Sequence, residues 1–482
     1  MNSGLVARIL GNLLLIEGAV LAVPLGISLF LGERRAAIGF LVSMGVTGLI
    51  GLYLSNVPAK SPRLKAREGI CIVTIGWTIV SFFAAVPFLL SGAVPSFVDA
   101  FFEAVSGLTT TGASVLSRIE DLPKGILFWR SLLHWLGGMG ILVLTLAILP
   151  TLGVVGFQVF RAESPGPTPD KFTPRLAATS KILYVIYGVL TALIVLAVRT
   201  AGVSWFDSIL LAFGSVGTGG FAPFSDSVMG LGANTPLVLV LASSMLLAGV
   251  NFSLYYELIR GRWKQALANS ELRWYLAIMG LSVLAVSLNL YGRVYGSIGE
   301  TLKHAWFQVS SVMTTTGYVT ADFDLWPPFS KGILFLLMFV GASAGSTSGS
   351  VKVVRLMVGA KVVRGEISRV LHPQAARPVI VSGRVMPPEV VRNVISFLLL
   401  YFAVFAVGSL MISLDGLDLF SSMSAVAATL GNVGVGFGGV GPTAGFAGLG
   451  LGSKLILSFL MLLGRLELFP VLAVLSPRFW KE

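Results

Sequence analysis

Four short glycine-centred segments recur along this chain, each between two long apolar stretches. They read Thr109-Thr110-Thr111-Gly112, Gly217-Thr218-Gly219-Gly220, Thr314-Thr315-Thr316-Gly317 and Gly431-Asn432-Val433-Gly434. The final glycines are 108, 97 and 117 residues apart. Each segment follows an amphipathic stretch too short to cross a membrane. A single one would read as a turn or a helix-packing site. Four in the same context predict four strips of backbone meeting around one axis, an arrangement in which carbonyl oxygens can replace the hydration shell of a cation.

The surroundings are those of a bilayer protein. Of 482 residues, 55% are hydrophobic and only 12% charged, whereas soluble domains carry about 25% charged residues. Apolar runs near 8–31, 37–57, 70–91, 126–150, 181–200, 236–259, 274–292, 331–358, 391–413 and 453–476 each approach the roughly 20 residues that span a hydrocarbon core. The net charge of +12 could suggest nucleic acid, but the basic residues lie in short loops between these runs, so no nucleic-acid partner is expected. Lys60, Arg63, Lys65 and Arg67 follow the second run, and Arg161, Lys171, Arg175 and Lys181 the fourth. Arg260, Arg262, Lys264 and Arg273 follow the sixth, Lys361, Arg364, Arg369, Arg377, Arg384 and Arg392 the eighth, and Arg478 and Lys481 end the chain. Every second connection is basic, which puts both termini on the cytoplasmic side. The alternate connections lean acidic and are long enough to hold a helix before each glycine segment. The single cysteine, Cys71, excludes a disulfide framework, and no A-x-A-like cleavage site follows the first run.

From residue 70 the unit is span, re-entrant helix, glycine strand, span. It occurs at 70–150, 181–259, 274–358 and 391–476, behind an N-terminal pair of spans at 1–57. The expected fold is therefore an all-α membrane protein with four pseudo-four-fold repeats around a central pore. Aligned on the final glycine, Asp99, Asp207, His304 and Ser421 sit thirteen residues earlier, polar groups suited to a helix start. Six residues earlier are Ser106, Gly214, Ser311 and Ala428, all small, which lets helices approach closely. The helix between, roughly 10 residues or about 15 Å, turns its partially negative end toward the axis, where it favours a cation. The glycine permits dihedrals closed to residues with a Cβ, and the threonine or asparagine before it can brace the strand by hydrogen bonding.

These residues resemble the superfamily of K+ transporters with four such units in one chain, and the strings resemble its bacterial TrkH branch. They are TTTGAS from Thr109, TGGF from Thr218, TTTGY from Thr314 and LGNVG from Leu430. Trp129-Arg130-Ser131 with Trp135-Leu136-Gly137-Gly138, Asn251-Phe252-Ser253 and Gly464-Arg465-Leu466-Glu467 extend the likeness over nearly the whole chain. The two extra N-terminal spans suit TrkH better than its relative KtrB. The resemblance implies K+ uptake across the bacterial cytoplasmic membrane. It places K+, the transported ion, at Thr110, Thr111, Gly112, Thr218, Gly219, Gly220, Thr315, Thr316, Gly317, Asn432, Val433 and Gly434. It further implies a homodimer with one pore per subunit and a cytoplasmic TrkA-type nucleotide-binding ring as regulatory partner. Glycine in all four segments matches the K+-selective members.

Two features lie below the glycine strands. Residues 341–352 read GASAGSTSGSVK, and Gly341, Gly345 and Gly349 should break the helix there. The segment reads as a flexible gate loop, with Lys352 placing positive charge toward the inner vestibule; the alternative is close packing through small residues. Arg465 falls inside the last span, where an arginine costs about 2.5–3.5 kcal/mol on insertion scales and should face a cavity or a partner. The resemblance makes it an electrostatic barrier in the permeation path; a salt bridge with Glu467 or another acid is the alternative.

Arg130 and His134, four apart on one helix face, read as anchors of pore-helix ends or outer loops. The three histidines, His134, His304 and His372, lack ligand spacing. Gly434 to Gly439 formally match G-x-G-x-x-G but lack a βαβ context, so the chain is expected to have no nucleotide site of its own. The loop at 359–392 offers a docking surface to a partner, or charge to membrane lipid. A Na+- or H+-coupled symporter is the alternative function, but carriers typically show inverted or two-fold repeats. The span interiors here carry few acids beyond Glu17 and Glu467. No catalytic pair or metal cluster is visible at depth, so the chain is not read as an enzyme.

Overall fold

A computed structural model of the chain describes residues 1–59, 65–140, 176–232, 234–372 and 378–481. The second half of the expected fourth span, 141–150, lies outside these residues, as do Lys60, Arg63, Arg161, Lys171, Arg175 and Arg377. Among the described residues the protein is helical, with one two-stranded hairpin in which Ile380–Val381 pairs antiparallel with Arg384–Val385. The expected all-α class holds.

Helices Ser3–Val20, Ala22–Phe30 and Arg34–Ser55 form the N-terminal pair of spans. The repeats follow. The first spans are Ala66–Leu90, Leu176–Thr200, Ser270–Leu290 and Pro388–Ser413. The pore helices are Phe97–Leu108, Trp205–Gly217, Ile298–Met313 and Leu419–Leu430. The spans expose large apolar side chains on one side, such as Leu49, Leu281 and Leu399, each about two-thirds exposed. The pore helices are buried along most of their length. That is the inverse of a soluble protein and suits an apolar solvent outside with polar backbone sequestered within.

Asp99, Asp207 and Ser421 fall in the first turn of their helices, as residues of a helix start, at the third helical position rather than at the cap. The caps are Ser96, Ser204 and Asp418, whose side chains accept from the backbone N–H groups of Asp99, Asp207 and Ser421. The third pore helix starts a turn earlier, at Ile298, so His304 lies within it. An N-cap side chain accepts from the amide two or three residues on, and polar character alone does not tell the cap from the residue that donates to it.

The spans that close the repeats also depart from expectation. Among the described residues six helices are long and apolar enough to cross a membrane, or seven if a bent pair counts as one span. Among the described residues the shortfall lies in these second spans, and those of the second, third and fourth repeats are interrupted beneath the glycine strands. Lys124–Gly138 ends at Met139, with Gly140 at φ 75°. Thr235–Ala248 and Phe252–Ile259 meet at 92°. Pro328–Val340 and Val353–Leu371 flank the expected break at 341–352. Leu451–Arg465 stops before Phe469–Leu475, with Glu467 and Leu468 at φ 61° and 59°. The second break rests on Asn251, whose side chain accepts from the Ser253 N–H and so starts a new helix.

Candidate functional site

Each pore helix terminates in the same way. The amide of the residue before the final glycine donates to the carbonyl of a small residue five positions back. The pairs are Thr111 to Ser106 (2.9 Å), Gly219 to Gly214, Thr316 to Ser311 and Val433 to Ala428 (2.8 Å each). The residue just before each of these adopts the left-handed conformation: Thr110 at φ 55°, Thr218 at 54°, Thr315 at 59° and Asn432 at 53°. Together these make a Schellman-type helix end, which normally puts glycine in the left-handed position. A β-branched threonine there is a genuine outlier, and it recurs three times. The final glycines follow at φ 84°, 79°, 81° and 85°.

The four strands close on one another. A Cβ at Gly112 would collide with the carbonyl oxygen of Gly219, and one at Gly220 with that of Thr316. A Cβ at Gly317 would collide with the carbonyl oxygen of Val433, and one at Gly434 with that of Thr111. The order one, two, three, four, one is a closed cycle. Each glycine is thus required twice, by its dihedral and by the neighbouring carbonyl.

Side chains bolt the repeats together. Between the first and second, His134 reaches both: its Nδ1 lies 2.7 Å from the Gly107 carbonyl oxygen, and its Nε2 accepts from the Phe221 N–H at 3.1 Å. An amide can only donate, so Nε2 is bare and Nδ1 carries the proton. Arg130 lies over the Phe221 ring at 4.0 Å and pairs with Glu103 at 2.7 Å, with both side chains buried. Glu103 also accepts from Ser114 and from the Val115 N–H, just beyond the first glycine strand. Tyr318 donates to the carbonyls of Leu211 and Phe221, joining the third repeat to the second. Asp324 accepts from the Gly438 N–H at 2.7 Å, joining the third to the fourth. Asn432 donates to Thr111 Oγ1 at 2.9 Å, closing the fourth onto the first. Arg130 and His134 were legible as anchors. Glu103 was not, because an acid in an acidic loop gives no sign that it will be buried.

At the left-handed positions, Thr110 Oγ1 and Asn432 Oδ1 are buried without a hydrogen-bond partner. Buried oxygens of this kind need an ordered water or an ion. Hard oxygen donors without a cluster of carboxylates suit a weakly held monovalent cation. Among the described residues no group of histidine, cysteine or acidic side chains could hold a metal ion.

The segment at 341–352 lies directly beneath. Gly341 and Gly345 have φ 71° and 73°, and the Gly349 N–H donates to Thr315 Oγ1 of the third strand at 2.7 Å. The loop docks into the break of the second repeat: Ser343 N–H donates to the Gly249 carbonyl and Phe252 N–H to that of Gly345. Glu271 accepts from the Ala344 N–H at 2.6 Å. Lys352 does not extend into open space. It is buried, and its ammonium folds back on the Ser348 carbonyl and hydroxyl. Arg465 donates to the Thr347 carbonyl at 2.7 Å and to the carbonyls of Gly137 and Gly138. It thus ties the loop to the end of the first repeat's second span. Glu467 pairs with Arg355.

A profile of the TrkH family, described as a cation transport protein, matches residues 49–481. The Trk system potassium uptake protein TrkH of Escherichia coli (strain K12) is 38% identical over 488 residues, covering 100% of both chains. The Trk system potassium uptake protein TrkG of the same organism is 34% identical, covering 95% of each. The crystal structure of the potassium transporter TrkH from Vibrio parahaemolyticus superposes with a TM-score of 0.88 at 34% identity, covering 100% of both chains.

Proposed function

The chain belongs to the TrkH family of cation transport proteins and is a transporter rather than an enzyme; from that premise we propose that it carries K+ into the bacterial cytoplasm through the ring of four glycine strands. The observation that carries this reading is the closed cycle in which each final glycine abuts the carbonyl of the next strand. Carbonyls so arranged offer successive oxygen ligands to a dehydrated cation. The left-handed positions below add the oxygens of Thr110, Thr218, Thr315 and Asn432. The pore-helix ends direct partial negative charge at the same axis.

Below this filter, the 341–352 loop and Arg465 act as the gate. The loop hangs from Thr315, Glu271 and the second-repeat break, and Arg465 latches it across to Gly137 and Gly138. The latch also leaves a fixed positive charge under the filter, which opposes cations while it is engaged. The protein works as a homodimer with both termini in the cytoplasm, controlled by a TrkA-type nucleotide-binding ring. The hairpin at Ile380–Val385 supports a route for that control. Ser382 and Ser270 share a hydrogen bond of 2.8 Å, and the next residue, Glu271, holds the gate loop.

The test is complementation. The chain, expressed with its TrkA-type partner, should restore growth of a K+-uptake-deficient bacterium at low external K+, and Gly→Ser in each strand should abolish rescue or its preference for K+. Failure to rescue at normal expression overturns the reading.

A further inference from the structure

A slot of about 400 Å³ opens between the first and fourth repeats. Its walls are apolar apart from two threonines and include Thr74, Thr78, Phe101, Phe459, Leu466 and Val474. The slot follows the span Ala66–Leu90 on one side and the broken last span on the other. Its lower end is basic. Arg67 lies seven residues before Thr74, two turns down the same stripe of helix. The Arg67 guanidinium lies over the Phe479 ring at 5.1 Å, and its Nε is buried without a hydrogen-bond partner. Phe479 belongs to the terminal helix Pro477–Lys481, which exposes Arg478 and Lys481. The next residue, Trp480, donates to the carbonyl of the slot residue Val474 at 2.8 Å, fixing this basic end against the slot. The nearby Glu68 carboxylate is engaged by the Asn2 and Lys65 N–H groups.

We propose that the slot is a binding site for an anionic phospholipid, with the phosphate on Arg67 and one acyl chain running upward past Thr74 and Thr78. From Arg67 to Ile79 is roughly 18 Å at 1.5 Å per residue, close to the ~15 Å of a single leaflet. Basic residues at the membrane surface attract anionic headgroups, and aromatic side chains such as Phe479 and Trp480 suit the headgroup level. The occupant touches the gate region as well as the rim. Leu466 lines the slot and follows Arg465 directly, and the strained Glu467 and Leu468 come next. A chain in the slot packs the break that carries the latch. The proposal rests on the membrane topology given above and does not require transport to be correct.

The test is native mass spectrometry of the full-length protein titrated with phosphatidylglycerol or with phosphatidylcholine of the same chain length. At least one tightly retained phosphatidylglycerol is expected, with about a tenfold preference over phosphatidylcholine. Arg67→Gln combined with Arg478→Gln should abolish the preference. Thr78→Trp, which fills the slot at an exposed position, should abolish retention of either lipid while leaving the melting temperature unchanged. Equal retention of the two lipids, or retention unaffected by both variants, overturns the proposal. Growth rescue by the same variants reports separately on transport.

Discussion

Threonine at φ near +55° is an expensive choice for the end of a helix, costing about 1–3 kcal/mol where glycine would cost little. Three of the four pore helices make it, at Thr110, Thr218 and Thr315. The oxygen it brings is the reason that fits: Thr315 Oγ1 holds the 341–352 loop, and Thr110 Oγ1 is buried without a partner. Thr110→Gly should therefore relieve strain, keeping stability within about 1 kcal/mol of the parent, yet lower the K+/Na+ permeability ratio. Equal permeability in the two proteins would make the threonine structural only. Arg465 offers a sharper distinction. Arg465→Ala removes both the charge and the latch, and cation flux should rise by about tenfold or more, since a hydrogen bond from a charged group contributes roughly 1.5–3 kcal/mol. Arg465→Lys keeps the charge but loses the fork that reaches Thr347, Gly137 and Gly138 together. Flux in that variant should lie between the two. Flux at the parent level would assign the whole effect to charge.

The second spans carry the asymmetry of the molecule. Among the described residues, only the third repeat builds its break into a twelve-residue loop, and only that loop touches a glycine strand, the second-repeat break and Arg465 at once. Deleting Gly345–Gly349 should raise basal flux, as should Glu271→Ala, which leaves the Ala344 N–H unpaired at a cost of about 1–3 kcal/mol. That cost corresponds to roughly a tenfold shift of the gate equilibrium. Unchanged flux through either variant at normal expression would remove the gate from the account. The break in the third repeat was legible because three glycines in nine residues cannot sustain a helix. Those after Ala248 and Arg465 were not, because Val250, Leu466 and Leu468 keep the apolar count of a straight span. Hydropathy measures only transfer cost. It carries no trace of an Asn251 cap or of Glu467 drawn off to Arg355. The four strands were legible because their backbone demands glycine, and glycine shows in sequence. Of the partners that hold them, Tyr318 depends on packing between repeats about a hundred residues apart, and Glu103 on the tertiary fold of the first repeat, which brings it to Arg130 and Ser114.

Taken as one object, the molecule is a ring of four unlike quarters, each joined to the next by a different chemistry: an imidazole, a phenol, a carboxylate and an amide. A ring of this kind should discriminate less strictly than one of identical strands. It should also be sensitive at its individual joints. His134→Asn can keep the Gly107 bond but not the Phe221 bond, and His134→Gln the reverse; each should lower K+ selectivity with little loss of expression, whereas a wholly structural role would lower expression and leave the ratio intact. On the proposed reading the cation sits inside the cycle of glycines and carbonyls. Anomalous diffraction from crystals grown in Rb+ tests it most directly. The expected result is density on the axis encircled by the carbonyl oxygens of Thr111, Gly219, Thr316 and Val433. Density elsewhere along the pore, with none inside that ring, would contradict the account.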